Sequence, residues 1–190
     1  MKSIKFHTYF LTAALFLILA VLIGFAVNSA LKERWFVHEY KIRNALTSHL
    51  NLAAQFQAVE RGLGATLLGF GKGSEGKKMS KLHQDFMEAG RKGDEHVRQS
   101  IVFANKLEAL KKYHALQERL DNLRSSFNKL KTVRQGITNH DVTVDEWVSV
   151  VTVNINNEFK LRDYTFIPDD KEEYKESELA YLRSIFHLTP

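Results

Sequence analysis

The sequence predicts an all-α protein in which an N-terminal transmembrane helix continues into an up-and-down bundle of four helices. Three observations lead to this fold class. The 190-residue chain has two prolines, so no proline interrupts a helix before Pro168. Six of its ten glycines lie between Gly62 and Gly76, whereas an all-β chain needs turn residues at regular intervals. Apolar residues recur at the three- and four-residue spacings of a helix.

The first element is an uncharged, largely apolar stretch from Thr8 to Leu31. About 20 such residues cross the hydrocarbon core of a membrane as a helix, so the stretch is long enough to span one. A cleaved signal peptide is the alternative, because Lys2 and Lys5 precede the stretch and small residues lie near its end. The length of the stretch and the helical pattern that continues beyond it favour a retained anchor. The predicted organisation is a cytoplasmic N-terminus at 1–7, a span at 8–31, a periplasmic helical-bundle domain at 32–166, and an acidic linker with a short helix at 167–190.

The charges around the span do not fix its orientation. Two lysines precede it and four basic residues follow it closely, so the positive-inside rule is nearly balanced. Later uncharged runs are too short for a second span, and everything after Lys32 therefore lies on one side. We expect a single-pass protein of the inner membrane with its soluble domain in the periplasm.

The first helix of the soluble part is predicted from about Phe36 to Phe70. A polar, glycine-rich loop at 71–78 ends it, and a second helix follows from Ser80 to about Asn105. The face of the first helix that packs on the bundle is predicted to carry His49 and a row of apolar or small residues: Ile42, Ala45, Leu52, Phe56, Val59 and Leu63.

The third helix has the clearest periodicity. Its stripe consists of Leu116, Leu120, Leu123, Phe127, Leu130, Val133 and Ile137. Thr143 and Glu146 form a capping box that starts the fourth helix, which runs to about Tyr164. The segment 151–155 alternates like a strand, but no second strand is available to pair with it, so a helix is favoured. A short helix at 179–188 closes the chain.

Composition excludes several classes of function. The net charge of +5 is too small and too scattered for a nucleic-acid-binding protein. The chain has no cysteine, which excludes thiolate metal sites, disulfides and cysteine nucleophiles. None of its eight histidines forms an i,i+4 pair, so a helix-borne zinc site lacks its spacing. We therefore expect no enzyme activity, no metal and no cofactor.

Glu60 and Arg61 are the only Asp, Glu, Lys or Arg residues between Asn44 and Gly71. A charge on such an apolar helix is expected to be partly buried and to need a partner. Arg61 has no acidic residue one turn away on its own helix, so its partner must come from another helix, another subunit or a ligand.

Two interpretations of Arg61 follow. In the first, it makes a structural ion pair with Glu60 of a facing helix, or with Glu118 or Asp121, and fixes the register of the bundle. In the second, it binds a small ligand, which Gly62 and Gly64 favour because they allow close approach. His49 is expected to be a hydrogen-bonded core residue.

The segment from Phe56 to Ala65, with Glu60, Arg61 and Gly62 in sequence, resembles the "LQxERG" signature of nitrate- and nitrite-sensing (NIT) domains. The segment 130–134, followed by 143–155, is similar to a second stretch of that family, in which an "LxxLR" helix end precedes a helix of the form "YTxLI". The resemblance spans roughly residues 45–166.

This resemblance implies an extracytoplasmic helical sensor of bacterial receptors that binds nitrate or nitrite between its helices. By position, Arg61 is the anion ligand, Gly62 lies beside it and Arg134 is a second ligand. The resemblance further implies that the chain covers only part of such a receptor, which continues into a second span and an output module.

The predicted function is therefore signal transduction by a membrane-anchored sensor of a small oxyanion. A homodimer is expected, because the first helix has more apolar surface than three neighbouring helices need to cover. The alternative is a membrane-tethered interaction or scaffolding protein that binds another protein and no small ligand.

Overall fold

The computed structural model describes residues 2–70, 77–109, 116–139 and 141–166. They form four helices, α1 (Lys2–Gly69), α2 (Lys77–Glu108), α3 (Leu116–Asn139) and α4 (Val144–Phe166), and no strand occurs within these ranges. The all-α prediction is confirmed, and the segment 151–155 is helical. The predicted linker and closing helix at 167–190 and loop residues 71–76 lie outside the described residues.

The chain divides into two compact units, Met1–Tyr40 and Lys41–Pro190. In the first unit, apolar side chains of α1 are exposed along the whole stretch from Tyr9 to Leu31, and Phe25, for example, is 73% exposed. By length and composition, α1 is the one helix among the described residues that is able to cross a membrane. This supports the predicted span, although a signal sequence near the N-terminus meets the same criterion.

The second unit is an up-and-down bundle, because contacts between neighbouring helices run in opposite directions. Along α1 and α2, His49 stacks on Phe103, whereas Glu60, further along α1, lies beside Gly90, earlier in α2. The same reversal joins the remaining neighbours. The pairs are Arg124 with Asn105 and Arg134 with Asp94 (α2–α3), Asn122 with Asn157 and Ser126 with Asn154 (α3–α4), and Asn51 with Arg162 and Arg61 with Thr152 (α1–α4).

The stripe predicted on α3 forms the centre of the core. All seven of its residues, from Leu116 to Ile137, are buried. They pack into two apolar clusters, one around Leu50, Leu107 and Leu116 and the other around Phe86 and Trp147. Thr143 caps the start of α4 as predicted, because the backbone N–H of Glu146 donates to its Oγ1 at 3.2 Å.

The core-facing row of α1 differs from the predicted one. Of the residues predicted on that face, Ile42 is buried and Val59 is 51% exposed. The remaining ones are half-buried. Two polar residues, Gln57 and Glu60, take core positions, so a row drawn through apolar residues alone is rotated away from the core. The observed row is Ile42, Leu46, Leu50, Ala53, Gln57, Glu60, Gly64 and Leu67, at the three- and four-residue spacings of one face.

Candidate functional site

The second half of the bundle contains a cluster of three charged side chains from three helices. Arg134 of α3 donates from Nε and Nη2 to the two carboxylate oxygens of Glu60 on α1, and the Nη2–Oε2 distance is 3.0 Å. It also donates from Nη1 and Nη2 to Asp94 of α2, at 2.9 Å each. Both edges of the guanidinium are thus engaged in bidentate pairs, which is the strongest geometry that arginine offers a carboxylate.

The cluster is deeply placed. Glu60 is fully buried, and the side chains of Arg134 and Asp94 are 13% and 14% exposed. Burial raises the pKa of Glu60 above its ordinary value, and the hydrogen bonds from Arg134 offset only part of that rise. Gly90 makes room for the cluster, because a Cβ at this position would lie 2.9 Å from Oε1 of Glu60 and 3.1 Å from Nε of Arg134.

A second polar network lies one turn earlier on α1. Nε2 of Gln57 donates to Oε1 of Glu158 at 2.8 Å, and Nδ2 of Asn154 donates to the same oxygen at 2.9 Å. Nδ2 of Asn154 also donates to Oε1 of Gln57, and the hydroxyl of Ser126 donates to Oδ1 of Asn154, both at 2.8 Å. All four side chains are buried, so these bonds fix α1, α3 and α4 in one register.

Glu158 differs from Glu60 because no cation pairs with it among the described residues. Its Oε2 is buried and has no hydrogen-bond partner within the ranges that the structure describes. Burial raises the pKa of Glu158 to about 8, against the opposing effect of the bonds from Gln57 and Asn154. This carboxyl is therefore mostly protonated at neutral pH, since charging it would leave a buried anion without a counterion.

Arg61, the residue after Glu60 on α1, is half-buried, and its hydrogen-bond partner is an uncharged side chain. Its Nη1 donates to Oγ1 of Thr152 on α4 at 3.0 Å, and that hydroxyl in turn donates to the backbone oxygen of Val148 at 2.7 Å. Within the described residues, Arg61 makes no ion pair with a carboxylate, and its Nε–Nη2 edge has no hydrogen-bond acceptor. This edge presents two parallel N–H donors, the pattern that binds a planar oxyanion.

The backbone at Arg61 is held by Trp147 of α4. The indole Nε1 donates to the carbonyl oxygen of Arg61 at 3.0 Å, and Trp147 itself is fully buried. Gly64 permits this contact, because a Cβ there would lie 2.4 Å from the indole nitrogen. At Gly64 the close approach is thus made by the Trp147 side chain rather than by a ligand. At Gly62, by contrast, an added Cβ meets nothing within 4 Å, so the helix surface is open at that position.

His49 is half-buried and hydrogen-bonded, with another histidine as its partner. Its Nδ1 lies 3.0 Å from Nδ1 of His96 on α2. The described residues contain no group of three or more metal-ligating His, Cys, Asp or Glu side chains.

Arg61 and Arg134, which the family resemblance assigns to one anion site, have different partners in the structure. Glu60 and Arg134 are brought together as an ion pair, and Arg61 contacts Thr152 instead of Glu60, Glu118 or Asp121. The sequence interpretation missed the side chains that complete these contacts on other helices. One available signal was the presence of Asn154 and Glu158 one turn apart on α4, within an otherwise apolar face. The missed residues are Asp94, His96, Ser126, Thr152, Asn154 and Glu158.

No protein-family model, curated protein or solved structure matches this chain.

Proposed function

We propose that the protein is a membrane-anchored sensor whose bundle binds a small planar oxyanion, such as nitrate or nitrite, at Arg61. The observation that carries the proposal is the environment of the Arg61 guanidinium: it is half-buried, bonded to a neutral hydroxyl and, within the described residues, without a carboxylate on its Nε–Nη2 edge. A half-buried charge without a counterion is a favourable place for an anion. The open space at Gly62 leaves that anion room beside the helix.

The same reasoning removes Arg134 from the proposed binding residues. Both of its two-donor edges are already occupied by Glu60 and Asp94, so an anion bound there by two donors would have to displace a buried or nearly buried carboxylate. The proposal therefore rests on Arg61 with Gly62 beside it, and assigns to Glu60 and Arg134 the role of holding α1, α2 and α3 together.

A signal requires that the anion favour one packing of the helices over another. An anion on the Nε–Nη2 edge fixes the guanidinium while Nη1 still donates to Thr152, and so favours the packing in which α1 is held against α4. Because α1 also carries the apolar stretch near the N-terminus, the proposed response passes along the same helix. We place the bundle in the periplasm, the apolar stretch in the inner membrane and two copies of the chain in the assembly.

The test is thermal unfolding of the full chain in detergent micelles with nitrate, nitrite or chloride at constant ionic strength. Trp35→Phe leaves Trp147 as the single fluorescent reporter, next to Arg61. An anion at a hundredfold its dissociation constant should stabilise the bundle by about 2.7 kcal/mol. Arg61→Ala should abolish the shift. Arg98→Ala, which removes an exposed arginine of α2, should retain it and controls for general salt effects.

The alternative function is a tethered interaction protein without a small ligand. The saturated Glu60–Arg134–Asp94 cluster favours it, because this part of the core is stable without any external ion. In that case no anion shifts the unfolding midpoint, or all of them shift wild type and Arg61→Ala equally.

A further inference from the structure

The contact between His49 of α1 and His96 of α2 brings two titratable rings together. Their Nδ1 atoms are 3.0 Å apart, and their ring centroids are separated by 5.3 Å. The centroid separation exceeds the Nδ1–Nδ1 distance by close to the radii of the two rings, so the rings meet nearly head to head. One Nδ1 must then carry a proton and donate it, and the other must present a lone pair.

Aromatic rings fix both histidines in this position. His49 stacks on Phe103 with centroids 5.5 Å apart, and His96 stacks on Phe56 at 5.7 Å with an interplanar angle of 4°. Since His49 and Phe56 belong to α1, and His96 and Phe103 to α2, the four rings join these two helices.

Counting ring protons shows how acid acts on the pair. The neutral pair has one proton on the donor Nδ1 and one on Nε2 of the acceptor ring. A first added proton enters at the free Nε2 of the donor ring and leaves the hydrogen bond in place. The second can only enter at the acceptor Nδ1. Two N–H groups then point at each other across 3.0 Å, and the bond is lost.

We propose that the facing Nδ1 atoms of His49 and His96 form a proton-operated clasp between α1 and α2, which stays closed while one Nδ1 is unprotonated and opens when acid protonates both. The protein would thereby sense acidity through a site separate from Arg61. This proposal does not depend on anion binding, and each can fail without the other.

The surrounding charges agree with a clasp that resists full protonation. Burial and the neighbouring His96 lower the pKa of His49 from 6.5, while Glu95 of α2 acts in the opposite direction. Two further cations of α2 lie over the flanking rings, Lys92 over Phe56 at 5.5 Å and Lys106 over Phe103 at 4.9 Å. Within the described residues, the groups that act on His49 come from α2 and not from α3 or α4.

The sign of the pH effect follows. A histidine whose pKa is lowered by folding stabilises the folded state above the unfolded pKa of 6.5, and this contribution is lost as the pH falls below it. Where the unfolded chain binds one proton more than the folded chain, the folding equilibrium constant falls by up to about tenfold for each unit by which the pH is lowered.

The experiment measures the separation of α1 and α2 directly. The chain has no cysteine, so spin labels on Ser48→Cys and Arg98→Cys, both exposed positions, report one distance by pulsed electron resonance in the full chain in micelles. Between pH 7.5 and pH 5 the distance should lengthen in wild type. It should stay constant in the double variant His49→Gln/His96→Gln, in which neither position carries an imidazole ring. His83→Gln, which removes a half-buried histidine of α2 beside Phe86, should respond like wild type.

Two results would overturn the proposal: an unchanged distance in wild type, or the same lengthening in wild type and in the double variant. If the double variant does not fold, His96→Gln alone serves, because a single remaining histidine cannot form the doubly protonated pair. It should then show no lengthening, and a lengthening equal to that of wild type counts against the clasp.

Discussion

Arg61 and Arg134 belong to the same bundle but have opposite surroundings. In the part of the chain that the structure describes, Arg134 makes four hydrogen bonds to the carboxylates of Glu60 and Asp94, whereas Arg61 makes one to the hydroxyl of Thr152. Both are arginines on helices with largely apolar inner faces, and residue type alone does not distinguish them. The comparison teaches that an arginine between helices is available to an outside anion only where the chain itself supplies no carboxylate to its donors.

The largest loss of stability is expected from replacing Arg134, the arginine that two carboxylates hold. Arg134→Ala leaves Glu60 buried without its counterion, and breaking such a pair costs about 3–5 kcal/mol. Arg61→Ala removes a single bond to a neutral group and should cost only about 0.5–1.5 kcal/mol. Urea unfolding of the full chain in micelles, followed by Trp147 fluorescence, measures both free energies of unfolding. Equal losses would mean that the two arginines do not differ as described.

The next prediction concerns the contact that holds α1 beside α4 at Arg61. Gly64→Ala places a methyl group against the indole of Trp147 and should cost about 1–3 kcal/mol by overpacking. Gly62→Ala is the matched control, two residues away on the same helix. Its Cβ meets nothing, and helix propensity should make it neutral or stabilising by up to about 1 kcal/mol.

The same unfolding measurement compares the two glycine variants. If Gly64→Ala were as stable as Gly62→Ala, Trp147 would not pack against α1 as described. The indole of Trp147 would then not hold the backbone of Arg61.

A third prediction extends the comparison to the two buried glutamates, one paired with a cation and one not. The pKa of Glu158 is about 8 in the fold and 4.5 for the ordinary group. The folded state therefore holds a proton that the unfolded state releases, and stability falls as the pH rises from 4.5 to about 8, by up to about 1.4 kcal/mol per pH unit.

Glu158→Gln should remove that slope, because its side chain keeps an oxygen that accepts from Gln57 and Asn154 but does not ionise. Free energies of unfolding at pH 7 and pH 8 for wild type and the variant provide the check. Identical slopes would show that Glu158 is already ionised in the fold.

Apolar spacing in the sequence predicted the buried stripe of α3 correctly but the buried face of α1 only in part, for one physical reason. Seven of the eight buried positions of α3 are apolar, with Ser126 as the exception, so their spacing marks the buried face directly. On α1, Gln57 and Glu60 occupy core positions, and a search for apolar periodicity passes over them. Burial of such residues becomes favourable only when partners on other helices satisfy their polar atoms.

Those partners depend on the register of helices far apart in sequence. Glu60 and Arg134 are separated by 74 positions, and His49 and His96 by 47. The isolated Glu60–Arg61 pair was visible in the sequence as an exception to its apolar surroundings, and the structure shows that its two members have different partners. Which arginine would be saturated by carboxylates was decided by tertiary packing, which no local pattern contains.

The central claim, that Arg61 is the anion-binding arginine of this bundle, is tested most directly by calorimetric titration of nitrate into the full chain in micelles. We expect saturable heat in wild type and in Arg98→Ala, and none in Arg61→Ala. Saturable heat of the same size in Arg61→Ala would contradict the claim, and so would its absence from wild type.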